Sequence, residues 1–482
     1  MAFKTREGYY ADLRAMRPNV FKNGHFIEDL VTDPATKGLV ENEAKAYDLL
    51  QDPQYDGILK AKSSLTGNEV VRWLTLNTEG AESLKKSVEM KRFFFQQVGT
   101  CMAGICVGHN IMNVLWSVTY DIDKEKGTEY HERLKNWIIN TESKGYKVAG
   151  ALTDAKGDRT KSASQQENPD ANVHVKEIRP DGIVVSGTKT MIAHAAACQE
   201  IFVSPGTGYK EADKDYAVAF VVPRDIEGLT IVQTDASEGR QGWDDMKYAD
   251  QSSYLIFEDC FVPNERVFLC GEYEHSGDAI NRFVGNYRAC IGSCVAGQGD
   301  IMIGAAMLMA RANGLSTKVF KDKMMDMTII SETVWSLGLG AMLAGKEHES
   351  GVFFADPKLA CVNKAQAGKK YAELRQILQD IGGGIAETGC FPNYTDCMDP
   401  VIGPKVMAAI KANPAVSAET RARAARLSEW YARAGGLLAF THGGGSPDGA
   451  KLVIRATTPY EKYAELAADI AGITEKVEDP KK

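Results

Sequence analysis

From about residue 5 to 145 the apolar positions recur at helical spacing, as in VEMKRFFFQQV and IMNVLWSVTYDI, with few strand signals. That periodicity predicts an N-terminal helical domain over residues 1–145. Between about 146 and 268 the pattern changes to short β-branched runs separated by turn residues: GIVVSGT, EIFVSPGTG, DYAVAFVVPRD, GLTIVQ and SSYLIFEDCFVP. These predict a small antiparallel β domain over residues 146–270. From about 275 helical periodicity returns in GDIMIGAAMLMARANG and TIISETVWSLGLGAMLAG, which predict a C-terminal bundle of buried helices over residues 271–482. The final TEKVEDPKK reads as a solvated tail. There is no internal repeat and no low-complexity tract, so the expected class is α+β, with helices on either side of a β domain.

A chain of 482 residues, 44% hydrophobic and 25% charged, can bury a large core. The formal charge of -8, with lysines and arginines interspersed among the acids, leaves no basic face for a nucleic acid. No stretch approaches the roughly 18 uninterrupted apolar residues of a membrane span, and the N-terminus reads as an amphipathic helix start. A cytoplasmic protein with no membrane partner is expected. Ten cysteines without a secretory signal argue against a disulfide framework. Cys198, Cys260, Cys270 and Cys361 lie in or beside apolar runs, where a free cysteine packs as a small hydrophobe.

Three segments of the β region carry a resemblance. ALTDAKGDR, with Thr153, Asp154, Gly157, Asp158 and Arg159, resembles the flavin-contacting Thr-Glu-x-x-x-Gly-Ser-Asp turn of the acyl-CoA dehydrogenase superfamily. VSGTKTMIAHA, with Lys189, Ile192 and Ala193, resembles its strand against the isoalloxazine ring. FEDCFVPNERV resembles the exit from its β domain. In isolation, Gly157 and Gly187 read rather as plain hairpin turns. A fourth segment, Gln379 to Gly384 with Gly382 and Gly383, resembles a Gln-x-x-Gly-Gly loop laid against the FAD of a neighbouring subunit, although a glycine run after a helix is also an ordinary C-cap. The resemblance implies an acyl-CoA dehydrogenase-like fold, an N-terminal helical domain, a central antiparallel β-barrel and a C-terminal helical bundle, with bound FAD in a homotetramer built as a dimer of dimers. Within the superfamily the chain is similar to the branch holding 4-hydroxybutyryl-CoA dehydratase and 4-hydroxyphenylacetate 3-monooxygenase, through LLQDPQYDGI, TYDIDKEKGTEYH, EADKDYAVAF, FVPNERVFLCGEY and THGGGSP. TDAKGDR and EADKDYAV point to the dehydratase side, which implies an acyl-CoA substrate and a 4Fe-4S cluster held by three Cys and one His.

Here that ligand set is altered. The candidates are Cys101 and Cys106, then Cys290 and Cys294, and Tyr287 stands at the histidine position. Cys101 and Cys106 are five apart; on a regular helix residues four apart share a face, so a π-bulge at Gly104 is expected to restore the facing. Cys290 lies four before Cys294 and is placed to complete an all-cysteine set. The dehydratase's catalytic glutamate aligns with Ser252, which cannot serve unaided as a general base. Asp250, two residues away, is a substitute base, though an exposed strand aspartate is the blander reading. His109 and His194 stand near the candidate ligand and flavin segments, and each also reads as a structural histidine.

Dehydrating a 4-hydroxyacyl-CoA requires removal of an unactivated β-proton, which a flavin makes acidic by withdrawing an electron, while an iron site takes the hydroxyl. The expected activity is an FAD-dependent elimination or double-bond shift on a CoA thioester, of the dehydratase/vinylacetyl-CoA isomerase type. The rival is a two-component FADH2-dependent aromatic monooxygenase, which shares the fold.

Overall fold

A computed structural model describes residues 3–155, 157–234, 248–390, 392–432 and 441–475. Lys156 of the first flavin-like segment and residues 476–482 of the expected tail lie outside these. The first third is helical, as its periodicity predicts, and ordinary local chemistry sets the boundaries. Asp33 caps the helix Pro34–Leu49 through the Ala35 N–H, with Pro34 at the first turn. Gly99 and Gly127, both left-handed, end the helices Gly80–Val98 and Val107–Lys126. The helical third is not free of strands, however. Val20–Lys22, His25–Phe26, Lys60–Lys62 and Glu69–Val71 are extended, in runs too short to register as a period.

The β region forms two sheets. One has six strands in the order His25–Phe26, Val20–Lys22, Leu229–Gln233, Ser252–Pro263, Gly182–Ala193, His174–Arg179. The other has four, in the order Val267–Cys270, Val218–Pro223, Glu200–Val203, Val148–Ala151. This corrects the expected antiparallel barrel. Among the described residues no ladder joins the sheets, and two pairings are parallel: Val20–Lys22 with Leu229–Gln233, and Val148–Ala151 with Glu200–Val203. Alternation along one strand predicts its faces but not its neighbour, and the outermost pair of the six-stranded sheet is supplied by the N-terminal segment.

The C-terminal part is built on Ser276–Ala312, Lys318–Leu343 and Pro357–Gly382. Gly292 and Gly338 let the first two pass closely: a Cβ on Gly292 would lie 2.5 Å from the Val334 carbonyl oxygen, and one on Gly338 2.6 Å from that of Ala289. Ser276–Ala312 is long and apolar enough to span a membrane, but in the fold it is a largely buried core helix. In THGGGSP, Ser446 caps the helix Pro447–Thr457 through the Gly449 N–H.

Candidate active site

The four candidate cysteines lie in one region, near enough to act on one another electrostatically but not as a converged ligand set, and not on the scaffold the spacing suggested. The helix expected to carry Cys101 and Cys106 stops at Val98 and restarts at Val107, with a short 3-10 turn, Ala103–Ile105, between. There is no π-bulge; Gly99 breaks the helix before the pair begins. Asn42 anchors the linker by donating to the carbonyl oxygens of Cys101 (2.7 Å) and Ala249 (3.0 Å). From the long helix, Cys290, Cys294 and Tyr287 face the same region, and burial together with all four thiols holds the Tyr287 phenol well above its ordinary range. Tyr287 therefore keeps its proton, which makes it a hydrogen-bond donor rather than a base. Its ring stacks on Phe283 (5.4 Å between centroids), and Gly444 of the THGGGSP loop packs so closely that a Cβ there would lie 2.9 Å from it.

Burial also raises the thiols of Cys101, Cys290 and Cys294, and Lys91 opposes it at the latter two. Lys91 is buried, with its ammonium 3.6 Å from Cys290 Sγ. Burial pulls this ammonium down, but Cys106, Cys290 and Cys294 more than offset it. Among the described residues no three His, Cys, Asp or Glu side chains converge as ready-made metal ligands. His109 is structural: its Nε2 donates to the Thr75 carbonyl (2.9 Å), and burial beside Lys91 pushes it down to about 3.

A second cluster adjoins the first. His194 is fully buried and lies between two carboxylates, with Nδ1 2.6 Å from Glu43 Oε1 and Nε2 3.0 Å from Asp250 Oδ1. Carboxylates only accept, so both ring nitrogens carry protons. Burial alone would lower this imidazole, yet hydrogen bonds to Asp250 and Glu43 raise it to about 9. Glu43 is lowered to about 2: burial opposes that shift, and the charge of Lys147 and the bond to His194 outweigh it. Lys147 Nζ is 3.0 Å from Glu43 Oε2, with the Trp73 ring centroid 4.6 Å away. The quartet is electrically neutral. Three members are fully buried, and only Asp250 reaches toward the surface, its side chain 15% exposed. The blander reading of Asp250 as an exposed strand aspartate is thus corrected: it precedes the strand Ser252–Pro263 and is ion-paired. His194 has φ 58°, an uncommon value for a non-glycine residue, and its N–H donates to the Gln251 carbonyl oxygen (2.9 Å).

The flavin-like segments separate into scaffold and surface. Thr153 and Asp154 run beside the strand Gly182–Ala193, with the Thr190 N–H donating to the Thr153 carbonyl (2.8 Å). Lys189 is buried; it pairs with Asp154 (2.7 Å) and donates to the carbonyls of Leu152 (2.9 Å) and Ser204 (3.1 Å). Lys189, Asp154 and the core residue Ile192 therefore shape the turn from inside. Gly157 is needed by its own loop, since at φ 46° a Cβ would lie 2.1 Å from Gln166 Oε1. Open to a ligand are half-buried Thr153 and Ala193, exposed Asp158 and Arg159, and Met191, 62% exposed. Ser252 pairs directly opposite Ala193, which places the Asp250 end of the quartet beside this surface. Gln379 is half-buried, and Gly383, at φ 70°, caps its helix with its N–H on the Gln379 carbonyl (2.8 Å). A Cβ on Gly382 would crowd that of Ala386 at 2.4 Å.

Glu43, Lys147 and Lys91 were not singled out from sequence, although two of them left a signal. Glu43 interrupts the apolar stripe Leu39, Glu43, Tyr47 at four-residue spacing, and Lys91 interrupts Leu84, Val88, Lys91, Phe95. A charge on a buried helix face requires a partner.

Comparison with known proteins agrees with this architecture. The family descriptions "4-hydroxyphenylacetate 3-hydroxylase N terminal" and "C terminal" match residues 5–269 and 276–472. The chain is 32% identical, over 97% of its length and 99% of the relative's, to 4-hydroxybutyryl-CoA dehydratase/vinylacetyl-CoA-Δ-isomerase of Clostridium aminobutyricum. It is 24% identical, over 83% of its length and 82% of the relative's, to the 4-hydroxyphenylacetate 3-monooxygenase oxygenase component of Thermus thermophilus. An oxygen-tolerant archaeal 4-hydroxybutyryl-CoA dehydratase from N. maritimus superposes with TM-score 0.93 at 32% identity, covering 100% of this chain and 97% of that one. An oxygenase component of 4-hydroxyphenylacetate 3-monooxygenase complexed with FAD superposes with TM-score 0.82 at 21% identity, covering 97% and 98%. The chain belongs to the 4-hydroxyphenylacetate 3-hydroxylase family and stands nearer the dehydratase than these oxygenase components.

Proposed function

We propose that the chain is an FAD-dependent lyase or isomerase of the 4-hydroxybutyryl-CoA dehydratase/vinylacetyl-CoA isomerase type, catalysing an elimination or double-bond shift on an acyl-CoA thioester. The observation that carries this reading is the placement of an ion-paired carboxylate, Asp250, two residues before Ser252, whose strand pairs with the Ala193 end of the flavin-like segment. It supplies the proton acceptor that Ser252 lacks. The uncovered surface of Thr153, Met191 and Ala193, small or apolar side chains bordered by Asp158 and Arg159, fits a flavin ring with its polar rim. When bound there, FAD supplies the one-electron chemistry that acidifies an unactivated C–H bond.

The chain's own groups account for the proton transfers. Asp250 takes the proton next to the thioester. His194 keeps Asp250 oriented by donating from Nε2, and Tyr287 donates a hydrogen bond from its protonated phenol. The buried Lys91 ammonium, 3.6 Å from Cys290 Sγ and raised by Cys106, Cys290 and Cys294, supports an anionic, thiolate-held group such as an iron–sulfur cluster in this region, although the four thiols do not converge as a ready-made ligand set. Cys101, Cys106, Cys290 and Cys294 would hold such a cluster, which would supply Lewis acidity toward a leaving hydroxyl. Exposed apolar side chains on the C-terminal helices, among them Val319, Met325, Ile329, Leu466 and Ile470, support a homotetramer in which the Gln379 to Gly384 loop reaches a neighbouring flavin.

The test is anaerobic incubation of FAD-replete enzyme with vinylacetyl-CoA and with 4-hydroxybutyryl-CoA, following crotonyl-CoA. Isomerisation of the first is expected to be the faster, because both thioester and alkene acidify its α-proton. No turnover of either thioester, together with hydroxylation of a phenol on adding reduced FAD and oxygen, would establish the monooxygenase reading instead.

A further inference from the structure

The proton-transfer site draws on residues far from it in sequence. Glu43, in the helix Pro34–Leu49, makes three connections at once. One oxygen accepts from His194 (2.6 Å) and from the Gly104 N–H (2.9 Å), and the other is 3.0 Å from Lys147. Gly104 is the middle of the turn between Cys101 and Cys106, and a Cβ there would lie 2.8 Å from Glu43 Oε2. Next to Glu43, Asn42 bonds the Cys101 and Ala249 carbonyls. One helical turn thus ties the thiol linker to the segment bearing Asp250. Burying two carboxylates, an imidazole and an ammonium is costly unless they serve as a matched set, and here the charges cancel in a line whose open end is Asp250.

We infer that Glu43 and Lys147 are positioning residues for proton transfer, holding His194 as a doubly protonated donor that fixes the Asp250 carboxylate at the reacting carbon of an acyl-CoA. The inference rests on the proposed thioester reaction. In a double-bond shift the Asp250 carboxylate forms an O–H bond as the substrate Cα–H breaks, and the electron pair spreads over the alkene and thioester carbonyl. The Asp250 O–H then breaks as Cγ–H forms. Asp250 ends as a carboxylate, His194 retains both ring protons, and no external oxidant or reductant is consumed. Lys147 balances Glu43, so Glu43 stays an acceptor toward the His194 Nδ1–H. The other titratable groups facing the line are Tyr9, Tyr47, Cys101 and Cys198; all are raised by burial and stay neutral.

The test uses the full-length, FAD-loaded chain with Glu43→Gln, Glu43→Asp and Lys147→Met. For vinylacetyl-CoA, Glu43→Gln is expected to lower kcat about 10²-fold or more with little change in KM, and Glu43→Asp to recover part of it. The alkaline limb of the kcat–pH profile should move toward neutral pH in Glu43→Gln and stay in place in Glu43→Asp. Melting temperature against pH gives a readout independent of activity. His194 is raised to about 9, so its stabilising contribution is complete below its unfolded value and is lost as pH rises through about 9. Glu43→Gln should bring that loss nearer neutral pH. A uniform drop in melting temperature, with both pH profiles unmoved, would make Glu43 a buried spacer and overturn the inference. If the unmutated enzyme turns over no thioester while the melting profile still shifts, the charge line stands, but its catalytic role falls with the proposed function. Should Glu43→Gln fail to fold, Lys147→Met decides the matter: without its cation Glu43 is balanced by His194 alone, so the alkaline limbs of both profiles should move to higher pH, and unmoved limbs would overturn the inference.

Discussion

Replacing Lys189 by methionine tests the claim that this residue builds the flavin-facing turn rather than touching the cofactor. Its ammonium bonds Asp154 at 2.7 Å and the Leu152 and Ser204 carbonyls at 2.9 and 3.1 Å, which ties the ends of the strands Val148–Ala151 and Glu200–Val203 to Gly182–Ala193. Methionine fills a similar volume but leaves the Asp154 carboxylate buried with no cation. Breaking a buried ion pair from one side costs about 3–5 kcal/mol. Expressed as local opening, that is about a 10² to 10⁴-fold rise in amide exchange, since each 1.36 kcal/mol is a factor of ten. Hydrogen–deuterium exchange of peptides from these three strands, with FAD content measured alongside, reads the effect where it arises. The double substitution Asp154→Asn with Lys189→Met removes both charges and should recover most of the protection, as expected when a buried pair is replaced by neutral groups. An exchange rise below tenfold in the single variant, or a double variant as labile as the single, would refute the scaffold role of the pair.

Tyr287→Phe should lower kcat without moving its pH profile between pH 6 and 9, because the phenol lies well above its ordinary range and does not titrate there; a profile that shifts would make Tyr287 a base and refute the donor role. Cys294→Ala should remove iron and acid-labile sulfide from anaerobically prepared protein and leave FAD bound, and iron unchanged by the substitution would count against the thiol pocket as its site. Light scattering should find an oligomer and flavin absorption about one FAD per chain, and Ile329→Glu, on an exposed apolar face, should dissociate the oligomer. A variant of unchanged mass would remove that face from the interface.

The periodicity of the chain determined its order of elements, because a 3.6-residue or 2-residue repeat is a local property and needs no knowledge of neighbours. The two short segments holding Thr153, Asp154 and Lys189 could be picked out from sequence, but that Lys189 turns inward to Asp154 and the Leu152 and Ser204 carbonyls was decided by packing. The meeting of Cys101, Cys106, Cys290 and Cys294 was legible only as a set of names. How the first pair presents itself depended on the break at Gly99, where the chain turns left-handed and the assumed helix ends. Sheet partners were beyond the sequence because strand pairing is a choice among distant segments; the N-terminal strand Val20–Lys22 lies parallel to Leu229–Gln233. The charge line depended most on tertiary structure. Glu43, Lys147, His194 and Asp250 are scattered across more than 200 positions, and even where the sequence marks a buried charge, as at Glu43, it does not say which partner it meets. Only packing makes them one group, since burial removes most of the water that would otherwise solvate each charge separately and leaves the opposite charges to balance one another.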